Sequence, residues 1–288
     1  PQLSEVNLNS KALTTTVSIK LRPSKRVQIN TVLSSGFRNP NIDDIGKIRE
    51  NNGLLVVPNT FLKPEYAYNL DLGFDFRSLN NTNFISLRGF STIISRHIGR
   101  DEYVVFSDIT TPDLSTIIYN GEEVTTISNK NLGNRFIHGF SIDGFSKIMS
   151  NLKLDYALTY TRGDNNDTYG PLPSISPLFG SIALSYSKRG LNLRAVYKFS
   201  EAKNPSEYSF GGEDGLDETP FIVNSEGLLT YLGTPKWSDL SIYGSKNISS
   251  NVTLRIGLTN VFDSHYRTFA SGISAPGRSF QVGLNLKL

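Results

Sequence analysis

The chain has 288 residues, 38% hydrophobic, 19% charged and 11% aromatic, a balance unlike that of disordered chains. A formal charge of +3, thinly spread, argues against a nucleic-acid partner. The absence of cysteine excludes disulfides, thiolate metal sites and cysteine nucleophiles, and His97, His138 and His265 lie too far apart for a metalloprotease motif. The longest aliphatic run, Leu54 to Val57, is far short of the roughly twenty apolar residues a membrane helix needs. The chain begins at Pro1 without a Met, a basic n-region or an apolar h-region, so its beginning reads as cut off.

The dominant apolar period is two. Alternation marks strands at Leu13 to Arg22, Val27 to Ser35, Tyr66 to Arg77 and, less regularly, Asn83 to Ile94 and Asn134 to Ile148. Further strands follow at Leu152 to Thr161, Ser181 to Tyr186, Leu191 to Phe199, Trp237 to Lys246, Val252 to Thr259 and Phe280 to Leu288. Successive strand side chains point to opposite faces, so each segment carries one apolar and one polar face. About ten residues at about 3.4 Å each, tilted about 45°, rise roughly 24 Å, the height of an outer-membrane barrel's apolar band.

Tight turns at Pro23 to Lys25, Ser78 to Thr82, Met149 to Asn151, Lys188 to Gly190 and Ile248 to Ser250 alternate strictly with long polar connections. Those run from Gly36 to Pro64, Ser95 to Gly133, Arg162 to Pro177, Ser200 to Lys236 and Phe262 to Gly277. Short periplasmic turns and long extracellular loops predict a transmembrane antiparallel β-barrel. With the long loops outside, the first and the last strand both descend and cannot close antiparallel on each other. An open edge in lipid leaves backbone groups unpaired. The expectation is an all-β, incomplete barrel of about eleven strands, occupying the whole of 1–288 as one domain.

Two stretches carry a resemblance. The first joins Phe37, Arg38, Pro40 and Asn41 to Pro58, Asn59, Leu62, Pro64 and Glu65. The second joins Asn260, Phe262 and Asp263 to Tyr266, Arg267, Pro276, Gly277 and Arg278. Together they resemble the C-terminal half of TonB-dependent outer-membrane receptors of Gram-negative bacteria. The resemblance implies the second half of a twenty-two-strand barrel, with the plug domain and the energy-coupling segment absent from this chain. It also implies outer-membrane lipid, the barrel assembly machinery and the TonB–ExbB–ExbD complex as partners, and a small extracellular ligand. A ferric siderophore is the default cargo of an iron-type receptor, with haem, cobalamin and glycans as alternatives. Members usually end on an aromatic residue, whereas this chain ends on Leu288.

Turn chemistry accounts for much of both motifs: Pro40 fixes φ after an extended Asn39, and Asn260 and Asp263 suit a strand's exit into a turn. Ligand contact is the competing role. The residues expected to meet a ligand are Arg96, His97, Arg100, Tyr103, Tyr119, Tyr208, Phe210, Tyr231, Trp237, His265 and Arg267, with Phe106 beside them. Aromatic rings there stack on a ligand and the arginines receive an anion, against the plainer role of loop packing.

No serine, acid and histidine are patterned as a hydrolase triad, and His138, in phase with Phe136 and Phe140, is expected to face lipid, so no enzyme is predicted. Haem receptors of the family place a histidine between the two halves of the first motif; none occurs between Gly36 and Leu62 here. The segments Gly211 to Glu218 and Asp164 to Asp167 lack calcium-loop spacing and read as solvated loops, so neither a metal nor a cofactor is expected. Inward Lys153, Arg194, Lys198 and Arg255 suit a polar lumen. Two rival functions stay open: a passive porin, which shares the alternation and the loop asymmetry, and a soluble β-protein acting as a binding module.

Overall fold

The computed structural model describes residues 11–104, 115–166, 170–210 and 212–287. Phe106, Asp167, Tyr169, Gly211 and Leu288 lie outside them. Eleven strands follow in chain order as β1 (Thr16–Leu21), β2 (Val27–Arg38), β3 (Glu65–Arg77), β4 (Asn83–Ser95), β5 (Arg135–Met149) and β6 (Leu152–Gly163). They continue as β7 (Phe179–Lys188), β8 (Leu191–Ser200), β9 (Trp237–Asn247), β10 (Val252–Thr259) and β11 (Ser279–Leu286). Each pairs antiparallel with its neighbours in one eleven-stranded sheet, in which β1 and β11 are the two edges.

Register keeps the two faces apart across the sheet. Ile29, Phe74, Leu87, Ile142 and Leu158 stand side by side on one face, and Leu154, Leu184, Ala195, Ile242, Leu258 and Phe280 continue it. The opposite face carries the row Gln28, Asp75, Ser86, Asp143, Ala157, Ser181, Lys198 and Asp239. A one-residue slip anywhere would move a strand's whole apolar set to the polar face. Several charges on the polar face are paired: Arg88 lies 2.7 Å from Asp75, and Lys153 and Arg194 lie 2.5 and 3.3 Å from Asp155. Close backbone approach explains Gly139, where a Cβ would sit 2.3 Å from the Tyr160 carbonyl oxygen. The Phe90 ring covers that glycine, restoring packing the missing side chain cannot supply.

The alternation predicted every one of these strands, although β1 begins at Thr16 and not at the expected Leu13, and β6 runs on to Gly163 past Thr161. Two further boundary differences have causes in the pairing. β2 runs on to Arg38, beyond the expected end at Ser35, because Phe37 and Arg38 keep pairing with Tyr66 and Glu65. β7 is longer than the expected Ser181 to Tyr186, since Phe179 and Lys188 pair with Ser200 and Leu191.

The long connections differ more from expectation. The first loop (39–64) and the second (96–134) are not merely polar coil; together they build a second sheet of five short strands. Leu54–Val56 runs parallel to Thr125–Ile127, flanked by the hairpin partner Arg49–Asn51, while Ile98–Glu102 and Thr116–Tyr119 pair with the Glu122–Asn131 strand. This crown has a true core. Val124 and Ile127 are 2% and 1% exposed, and Ile45, Leu62 and Ile98 form a buried cluster. Among the described residues, Ala183 is the only buried apolar residue in the eleven-stranded wall. Among the described residues, no helix is long and apolar enough to cross a membrane.

Candidate ligand cleft above the strand ends

The motif residues act first as joints between wall and crown. The Arg38 guanidinium lies 2.6 Å from Asp44 and 2.9 Å from Glu65, bridging the start and the end of the first loop. Glu65 also accepts a hydrogen bond from the Ile98 backbone N–H at 2.8 Å, reaching into the second loop. Asn41 caps the short helix α1 (Ile42–Gly46): its side-chain oxygen accepts from Asp44 N, and Asp44 accepts from Asn41 N, both at 2.8 Å. Asn59 donates to the Asn129 carbonyl at 2.8 Å, and Leu62 is buried in the crown.

The second motif builds the base of the fifth loop (260–278). Asn260 adopts a left-handed φ of 48° and donates to the carbonyls of Ser264 and Pro276 while accepting from Ser264 N. Asp263 accepts from the Arg278 backbone N–H at 2.7 Å. A Cβ on Gly277 would come within 3.2 Å of the same carboxylate, so a larger residue there would have to displace it slightly.

Above these joints lies a cleft of about 720 Å³ walled by the first, fourth (201–236) and fifth loops. Arg49, Lys236, His265 and Arg267 supply its basic side, and Glu213, Asp217 and Glu218 its acidic side. Tyr266 belongs to the lining and stacks on Trp237 at 4.3 Å with 15° between the rings. Burial and the nearby Asp239 carboxylate push the Tyr266 hydroxyl above its ordinary range. His265 Nε2 lies 3.1 Å from Ser274 Oγ, and Arg267 donates to the same hydroxyl and to the Glu218 carbonyl, both at 3.2 Å. An adjoining cleft of about 290 Å³ shares Arg49, Asn51, Gly212 and Asp217 and adds Arg100, Phe210 and Tyr231. Arg100 and Glu213 approach to 3.6 Å between the second and fourth loops. Burial raises the Glu213 carboxyl, with the Arg100 charge opposing.

The residues expected to meet a ligand divide accordingly. His265 and Arg267 line the main cleft, Arg100, Phe210 and Tyr231 line its neighbour, and Trp237 supports Tyr266. Tyr208 is buried, its hydroxyl 2.6 Å from Thr234 Oγ1. Like Trp237 and Tyr208, the remaining four lie outside the lining of both clefts. The Arg96 carbonyl accepts from Asn131, His97 packs against Glu65 at 3.7 Å, Tyr103 sits 6.0 Å from the Lys130 ammonium, and Tyr119 pairs with Glu122 in a hairpin. Sequence reasoning passed over Arg49 and Lys236. Arg49 had a usable signal: the two-residue Asn52-Gly53 turn, with φ of 51° and 76°, announces the hairpin that carries it. Lys236 had none.

The family of TonB dependent receptor-like β-barrels matches residues 4–261. The chain belongs to that family. Its members are outer-membrane receptors and transporters, not enzymes. Hemoglobin-binding protein A of Haemophilus influenzae is 25% identical, over 96% of this chain and 27% of its own length. Two solved structures share the fold: the copper transporter OprC, with a TM-score of 0.69 and 18% identity, and the siderophore receptor PirA of Acinetobacter baumannii, with 0.68 and 19%. Both alignments cover 95% of this chain, against 39% and 40% of those structures. The chain thus spans about a quarter to two-fifths of the proteins it matches, and it supplies wall and loops of the receptor fold.

Proposed function

We propose that this chain is the C-terminal barrel portion of a TonB-energised importer of an iron-bearing ligand, and that the 720 Å³ cleft receives that ligand. The observation that carries the reading is the meeting of His265 and Tyr266 with Arg49, Lys236 and Arg267 around one cavity. Imidazole and phenol are ligand types for haem iron, and guanidinium and ammonium groups match its propionates. A relative named for binding haemoglobin supports haem as the first candidate. A ferric siderophore is the second, favoured by the Trp237–Tyr266 stack, which offers an aromatic surface beside cations for an anionic iron chelate. Uptake draws on the TonB–ExbB–ExbD complex, the wall faces outer-membrane lipid, and the barrel assembly machinery inserts it.

The test uses the full-length receptor, titrated with hemin and, separately, with a ferric catecholate. Arg267→Ala should weaken binding of the true ligand about tenfold, the worth of one charge-assisted hydrogen bond. Uptake in cells should stop without TonB. Equal binding by the wild type and by the Arg267→Ala and His265→Ala variants would remove the cleft as the site, and uptake that survives loss of TonB would remove the energised mechanism.

A further inference from the structure

Beneath the cleft wall lies a polar knot that neither motif nor ligand chemistry explains. Lys203 and Asp214 are 3% and 2% exposed at their side chains, with the ammonium 3.4 Å from the carboxylate. The knot draws on three loops. Lys203 Nζ donates to the Ile175 carbonyl of the third loop (164–178) at 2.6 Å, and Asp214 accepts from the Ser174 backbone N–H of that loop at 2.7 Å. From the fifth loop, the Phe269 ring lies 4.0 Å below the ammonium. Within the fourth loop, Lys203 and Thr234 exchange backbone hydrogen bonds at 2.9 and 3.1 Å, and Tyr208 closes the far side with its ring 5.2 Å from the ammonium. Asp214 also lines the cleft, as do its neighbours Glu213 and Gly215.

We propose that Lys203 is the positioning residue of the cleft: its buried ammonium locks the 212–219 wall onto the third and fifth loops, so that the cleft is preformed and the three loops open as one unit. The physical basis is the asymmetry of buried charge. Separating the wall from Lys203 strips the buried ammonium of its carboxylate partner, Asp214, a far larger penalty than breaking an exposed pair. A wall held in place before binding spares the ligand the entropy of ordering it. The binding role rests on the cleft being the ligand site; the coupling of the loops does not.

Hydrogen exchange in the full-length receptor measures the coupling. Lys203→Met should speed exchange roughly a hundredfold in 171–178, 212–219 and 266–272 together, the consequence of unpairing one buried charge. Lys203→Arg, which keeps the cation, should restore most of the protection. Asp214→Asn keeps the shape and loses the charge; it should loosen the same three segments to a smaller degree, and it supplies the comparison if Lys203→Met does not assemble. Acceleration confined to the fourth loop would overturn the coupling. Hemin titration then reads the positioning role: affinity should fall about tenfold in Lys203→Met and recover in Lys203→Arg, a loss on the scale of a few ordered side chains. Loosened loops with unchanged hemin affinity would overturn that role. Failure of hemin to bind the wild type would instead remove the haem reading of the cleft, and the exchange result would still decide the coupling.

Discussion

The wall and the crown of this chain are held together by different physics. In the wall, large apolar side chains such as Leu72, Ile182 and Val282 remain 52%, 47% and 62% exposed, and order comes from register and continuous backbone pairing. In the crown, Leu55, Val56, Val124 and Ile127 are buried as in a water-soluble domain. Lipid completes the wall's apolar face, while the crown must bury its own. A substitution therefore has opposite consequences in the two regions: the wall tolerates loss of volume but not an outward charge, and the crown tolerates surface charge but not a cavity.

Ile127→Ala breaks the comparison most sharply. It should cost about 2–5 kcal/mol of crown stability through lost burial and the cavity left behind. Protease cutting within 96–134 should rise while the heat-modified mobility of the barrel stays as in the wild type. A loss of barrel assembly in this variant would mean that crown and wall fold as one unit.

Leu72→Arg probes the other side. Leu72 stands midway along β3 on the lipid-facing row between Thr31 and Gly89, so the arginine should cost about 2–4 kcal/mol of insertion free energy. Gln281→Lys, on the polar face of β11, is the matched control and should cost little. Refolding into bilayers of defined composition measures both. Equal costs would mean that the two faces are not divided between lipid and lumen.

How much was legible follows the same division. The wall could be read from Tyr66 to Arg77 or Val252 to Thr259 because period-two alternation is written locally, residue by residue. The crown depends on pairing across great sequence distance: Leu54–Val56 meets Thr125–Ile127, and no local pattern announces that partner. Traces existed. The run Leu54 to Val57, too short for a membrane helix, is a buried strand and its exit. The Asn52-Gly53 and Asn120-Gly121 pairs, with positive φ at all four residues, form two-residue hairpin turns. Arg100, Phe210, Tyr231, His265 and Arg267 were found as loop residues of the right chemistry, but their assembly into adjoining clefts is a product of the crown's packing. Lys203 carried no signal, since a lysine after a strand end is ordinarily solvated.

The smallest effect concerns pH, and it sharpens the boundary between wall and crown at one residue. His97 sits where β4 hands over to the Ile98–Glu102 strand, its Nδ1 buried and 3.7 Å from Glu65. Burial holds its pKa below the ordinary 6.5; Glu65 opposes the shift, and Arg135 and Arg38 add to it. The folded crown therefore binds fewer protons at this site than the opened crown, and stability rises with pH through that window. The contribution is complete above about 6.5 and declines as the pH falls below it toward the depressed folded value. Between pH 7 and 5, exchange at Ile98–Glu102, corrected for intrinsic rates, should therefore quicken, and exchange in the middle of β3 and β4 should not. His97→Gln should abolish the dependence, because glutamine fills the space without titrating. A dependence that persists in that variant would assign the sensitivity to Glu65 or its neighbours, and the handover from wall to crown would then rest on the carboxylate alone.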